Sequence, residues 1–232
     1  MTTLDIKSIH AILLDIDGTI ADTDDALVAR LERWFRILRP WLPAQDRYVA
    51  ARLFVMRIET PVNTFVGWLD RTGLDQFVGP IMDTLHRLRG ISGSSQAQII
   101  PGVKSTLERL ASHYPLGIVT AREHHSANAI LDTHTLGPLF QCVATARTCR
   151  QAKPHPAPVL WAVDQLGASP EHCIMVGDTT ADIIAGKSAG LQTVGVLCGF
   201  GERTELERAG ADLIMPSTAD LADLLLGPDL GT

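Results

Sequence analysis

The sequence predicts an α/β fold: a parallel sheet with helices on both faces, plus an inserted all-helical cap. Three observations predict it. From about residue 99 onward, short apolar β-rich runs alternate with helix-like stretches, and strands spaced by helices form parallel sheets covered on both faces. One more apolar run, Ala11-Ile12-Leu13-Leu14, stands by itself near the start. Between the two lies a segment, residues 22–98, whose apolar residues have helical spacing and which contains no convincing strand.

The first run reads as a buried strand ending in Asp15-Ile16-Asp17-Gly18-Thr19. Residues two apart in extended chain point the same way. Two acids so placed repel each other and bear a desolvation cost that a cation or a shared proton relieves. Gly18 lets the chain leave in a conformation other residues resist. The pattern suits a metal-bound carboxylate nucleophile with an acid/base neighbour; the plainer alternative is an Asp- and Gly-rich turn before a helix.

In the following segment, Leu27, Leu31, Trp34, Phe35 and Leu38 mark one helical face, and Phe77, Ile81, Leu85 and Leu88 another. Pro40, Pro43 and Pro61 punctuate the helices. Gly90-Ile91-Ser92-Gly93-Ser94-Ser95 has the composition of a pliable linker. The division expected is a core of residues 1–21 and 99–232 with a helical cap at 22–98.

Beyond the insert, strands are expected over residues 114–120, 141–145, 173–176, 192–197 and 212–215. Helices are expected over 103–112, 124–136, 157–166, 180–189 and 204–209. In Rossmann-like sheets of this kind, ligands collect at the carboxyl ends of the strands. Thr120 and Asp178 sit at such ends, with Lys153 on a loop and Asp182 just inside the following helix. Thr120 closes Leu116-Gly117-Ile118-Val119-Thr120, where a hydroxyl and the amides after it can hold a phosphate oxygen, although threonine at a strand end is commonplace. Lys153 precedes Pro154, which drives it out of helical conformation; it is either an exposed loop lysine or an ammonium that neutralises a nucleophile and a phosphoryl group. Asp178 ends Ile174-Met175-Val176-Gly177-Asp178, and Asp182 falls in the first turn of the next helix, as a cap or as part of a hard-cation site. A third carboxylate beside Asp15 and Asp17 suits Mg²⁺, which takes a few carboxylates plus waters and phosphate oxygens.

Taken together and in this order, Asp15-Ile16-Asp17-Gly18-Thr19, Thr120, Lys153-Pro154 and Gly177-Asp178 with Asp182 resemble the signatures of the haloacid dehalogenase superfamily. Ile100-Pro101-Gly102-Val103 is similar to the segment after the helical cap in phosphoglycolate-phosphatase-like members. The resemblance implies that Asp15 is the nucleophile and Asp17 the general acid/base. It implies that Mg²⁺ binds the Asp15 carboxylate, the Asp17 backbone carbonyl and Asp178, with Asp182 holding a metal-bound water or buttressing a ligand. Thr120 and Lys153 would bind the transferring phosphoryl oxygens, helped by amides near Asp17 and Ala121, and the cap would close over the substrate. Two positions depart from the pattern. Ile16 replaces the usual Phe or Leu and is expected to face the core. Arg122 follows Ala121 where relatives carry Asn or Lys; it would either reach a substrate anion or start a helix.

Asp17 favours phosphoryl transfer over dehalogenation, and the absence of lysine from residues 22–98 argues against Schiff-base phosphonate cleavage. The expected activity is therefore a Mg²⁺-dependent phosphatase acting through an aspartyl-phosphate on a small phosphorylated metabolite, phosphoglycolate being the first to try. The alternatives are a phosphosugar mutase and a non-catalytic binding module. Arg30, Arg33, Arg52, Arg57 and Arg71 are candidate cationic contacts from the cap, none singled out.

The 232 residues are 46% hydrophobic, enough for a sizeable core, and carry a net charge of −6 with no basic tract, so nucleic acid is not an expected partner. Cys142, Cys149, Cys173 and Cys198 match no zinc spacing, and Cys142 and Cys173 open apolar runs as small core residues. No signal segment or membrane-length apolar run is visible, so a cytoplasmic location is expected; a monomer or homodimer is also expected.

Overall fold

A computed structural model describes residues 4–22 and 97–227. The expected helical cap, its linker and its arginines lie outside the described residues, except for the ends of the segment at Asp22 and Ala97–Gln98.

The described chain runs β1 (Ala11–Leu14), β2 (Ala21–Asp22), β3 (Gln98–Ile99), α1 (Val103–Ala111), β4 (Leu116–Val119), α2 (His124–Thr133), β5 (Cys142–Ala144), α3 (Ala157–Gln165), β6 (Cys173–Gly177), α4 (Thr180–Ser188), β7 (Gln192–Val196), α5 (Arg203–Ala209), β8 (Leu213–Met215) and α6 (Leu221–Leu226). Six strands form one parallel sheet in the order β5-β4-β1-β6-β7-β8. The strands and helices expected beyond the insert are present, with ends shifted by a few residues.

The sheet has a core on each face because its side chains alternate. Ile12 and Leu14 join one apolar cluster together with Ile174 and Val176. Ala11 and Leu13 join the opposite cluster with Cys173 and Met175. All four β1 residues are fully buried, which is why this strand reads as an unbroken apolar run. Ile16 is fully buried in the first cluster, as its departure from the motif required. Cys142 and Cys173 are buried thiols whose pKa is pushed up to about 11 by burial, and all four cysteines are free.

Register brings the strand ends level. Leu14 pairs with Ile118 of β4 on one side and with Val176 of β6 on the other. The residues that leave these three strands, Asp15, Thr120 and Asp178, therefore emerge at one edge of the sheet.

The expectation of no strand within 22–98 is corrected at its two ends. Asp22 pairs with Gln98 and Ala21 with Ile99, forming a two-residue antiparallel ribbon. Strands this short carry no periodicity, and their polar residues disguise them further. Helix α6 had likewise left too short a pattern to read. Among the described residues no helix is long and apolar enough to cross a membrane.

Candidate active site

The motif after β1 is folded back on itself. The Asp15 amide donates to the Val176 carbonyl (3.0 Å), continuing the β1–β6 ladder by one residue. The Ile16 carbonyl then accepts from Ile20 and Ala21 (both 2.9 Å), so the chain turns at once. Gly18 makes that turn with φ of 68°, where a side chain would be strained. A Cβ at Gly18 would also strike the Asp178 carboxylate, as would one at Gly199. Asp178 is thus enclosed between two glycines, and its Oδ2 accepts from the Phe200 amide at 2.8 Å.

Oxygens from Asp15, Asp178 and Asp182 all lie within 4.8 Å of one another, and all three residues are buried. Lys153 inserts among them. Its Nζ donates to Asp182 Oδ1 (2.6 Å) and to the Val119 carbonyl (2.8 Å). It also lies 3.0 Å from Asp15 Oδ1, an ion pair that is not aimed as a hydrogen bond. Lys153 does sit on a loop, yet its side chain is only 6% exposed, so the exposed-lysine alternative falls.

Three ionised carboxylates and one ammonium leave two negative charges in a buried space. Without a cation this is unfavourable, and the electrostatics reflect it. The Asp15 pKa is pushed up to about 7: burial is the largest cause, Asp182 and Asp17 add to it, and Lys153 opposes it. Burial works against the charge on Lys153, but Asp15 and Asp182 outweigh it and hold its pKa above the ordinary lysine value. A hard divalent cation fits this donor set of clustered carboxylate oxygens with excess negative charge.

Asp182 has little capacity left for a metal. Its Oδ1 is engaged by Lys153, and its Oδ2 accepts from the Thr179 amide (3.1 Å) and hydroxyl (2.7 Å). This is a capping box at the start of α4.

Asp17 is set apart from that cluster. Its carboxylate faces Arg122, whose Nε lies 2.8 Å from Oδ2 and whose Nη2 lies 2.6 Å from Oδ1. At 29% its side chain is the most exposed of the four acids. Arg122 does more than begin α2: its side chain turns inward and is buried against Asp17. Thr120 Oγ1 accepts from the Arg122 amide at 3.1 Å, which leaves the threonine hydroxyl proton to donate elsewhere. His155 Nδ1 accepts from the Ala157 amide (3.1 Å) at the start of α3, a structural role.

The structure brings together Asp15, Asp178, Asp182 and Lys153, and places Asp17 beside Arg122. Sequence reasoning missed the loop after β7. Its signal was Leu197-Cys198-Gly199-Phe200-Gly201, two glycines directly after an apolar strand.

The family model of haloacid dehalogenase-like hydrolases matches residues 12–196. Pyrophosphatase PpaX from Oceanobacillus iheyensis is 30% identical over 221 residues, covering 94% of this chain and 97% of its own. A phosphoglycolate phosphatase from Photorhabdus laumondii is 27% identical over 226 residues, covering 97% of this chain and 96% of its own. The solved structure of a haloacid dehalogenase-like family hydrolase from Streptococcus pneumoniae superposes with a TM-score of 0.64 at 26% identity, over 94% of this chain and 99% of that one.

Proposed function

This chain belongs to the haloacid dehalogenase-like hydrolases, and on that premise we propose that it is a Mg²⁺-dependent phosphatase of small phosphorylated metabolites. The observation that carries the reading is Asp15, buried at a strand tip within 4.8 Å of two further acid oxygens and paired with Lys153.

In the first step an Asp15 oxygen attacks phosphorus and the bond to the leaving oxygen breaks. Asp17, the more accessible acid, gives that oxygen a proton. In the second step Asp17 takes a proton from water, which attacks phosphorus and releases Asp15 and inorganic phosphate. Lys153 neutralises charge on Asp15 and the phosphoryl oxygens, Thr120 donates its hydroxyl proton to one of those oxygens, and Asp182 holds Lys153 in place. Mg²⁺, held by the Asp15 carboxylate, the Asp17 backbone carbonyl and Asp178, would supply further charge neutralisation to the phosphoryl group.

The relatives named pyrophosphatase PpaX and phosphoglycolate phosphatase make pyrophosphate and phosphoglycolate the first substrates to test. Residues 22–98 would form the cap that excludes water, on a core of 1–21 and 99–232, in a cytoplasmic monomer or homodimer.

The test is turnover of 4-nitrophenyl phosphate and of a panel holding both those substrates, nucleotides and hexose phosphates. Wild type should be active with Mg²⁺, silent with EDTA and restored by Mg²⁺, while Asp15→Asn should lose turnover and keep its circular dichroism. Turnover by Asp15→Asn, or unchanged rates with chelator, would overturn the reading. Phosphate exchange between sugar positions would favour a mutase instead.

A further inference from the structure

We infer that Arg122 is the positioning residue for Asp17, fixing the direction from which that acid exchanges protons with leaving group and water. This rests on the acid/base role proposed above for Asp17.

Each nitrogen of the guanidinium has a partner. Nε and Nη2 grip the two Asp17 oxygens in a fork (2.8 and 2.6 Å), and Nη1 donates to Ser126 Oγ on α2 (2.8 Å). The Arg122 side chain is 4% exposed against 29% for Asp17, so the grip comes from the protein side and leaves the outer side of the carboxylate accessible. The backbone of Arg122 is held at both ends. Its amide donates to Thr120 Oγ1 (3.1 Å), and its carbonyl accepts from the Ala146 amide (2.9 Å). A forked arginine fixes the plane of a carboxylate as well as its charge, which a lysine does not. Burying a guanidinium is costly unless it is paired, and here it is spent on one functional group and on one hydroxyl that steadies it.

The chemistry gives this a readout. As the bond from phosphorus to the leaving oxygen breaks, its electron pair stays on oxygen, which takes the proton from Asp17 and departs as an alcohol. An alkyl oxygen needs that proton; 4-nitrophenolate is stable without it. Misdirecting Asp17 must therefore harm alkyl phosphates more than aryl ones.

The experiment compares kcat/KM, which reports the first phosphoryl transfer, for phosphoglycolate (or whichever alkyl phosphate of the panel turns over) and 4-nitrophenyl phosphate. Because both substrates meet the same enzyme preparation, their ratio is independent of the fraction folded. Arg122→Gln should lower kcat/KM on the alkyl phosphate about tenfold more than on the aryl phosphate, within the range of acid–base catalysis. Arg122→Lys should fall between Arg122→Gln and wild type. Asp17→Asn should show at least the selectivity of Arg122→Gln, and adding Arg122→Gln to it should change the ratio no further. Equal losses on both substrates, from lost packing or from a lost contact to the phosphoryl group, would overturn the inference. So would a further change of ratio in the double variant. Turnover by Asp15→Asn would instead defeat the parent reading; with that variant dead and the losses equal, only the role of Arg122 fails.

Discussion

Lys153 shows how a single side chain serves two acids with different tasks. It is paired with Asp15, the proposed nucleophile, and hydrogen-bonded to Asp182, which is itself tied to the start of a helix. Truncating it removes the ammonium from three buried carboxylates, so Lys153→Ala should lower kcat roughly 10²-fold or more, as loss of a preorganised electrostatic partner does. A rate within about threefold of wild type would make it a bystander. Asp15 yields a second prediction. Its native pKa of about 7 lies above the unfolded value of 3.8, so between those values the folded, metal-free chain binds the proton more tightly than the unfolded one. Stability must then fall as pH rises from about 4 to about 7. Thermal melts in EDTA should show that slope in wild type and lose it in Asp15→Asn, and the Mg²⁺-induced rise in Tm should be larger at pH 8 than at pH 6. A slope shared by the variant would assign the effect to other groups. At this scale the sequence was informative where residue type alone limits the chemistry, as at Asp15 and Asp178. It picked out Arg122 but not its partner Asp17, because a pair spanning 105 positions exists only once the sheet has formed.

The elements deliver these residues by stopping in the right place. β1, β4 and β6 run parallel and in register, so three short loops begin together, and each begins with a functional group. Such strands were legible because burial on both faces demands an unbroken apolar run; the ribbon of β2 and β3 was not, because two residues make no pattern. The loop after β7 belongs to the site by shape rather than by chemistry. Gly199 leaves room for the Asp178 carboxylate, and the next amide holds it. Gly199→Ala should therefore displace Asp178 and raise the Mg²⁺ concentration for half-maximal activity about tenfold or more, the size seen when groups behind metal ligands are disturbed. An unchanged Mg²⁺ titration would show that the cradle is incidental.

For the molecule as a whole, the sheet order sets the geometry: the earliest strand is a central one. β1 has no neighbour close to it in the chain; Ala11 finds its partner at Cys173 and Leu13 at Gly117. Pairings so distant in sequence are slow, because chain entropy is lost before any contact rewards it. As the polypeptide leaves the ribosome, four consecutive apolar residues must wait for most of the remaining synthesis before both flanks are covered. Throughout that interval they are sticky, a natural target for holding chaperones and a seed for aggregation. Asp15 and Asp17 directly behind them would keep this nascent stretch more soluble than its apolar residues alone would be.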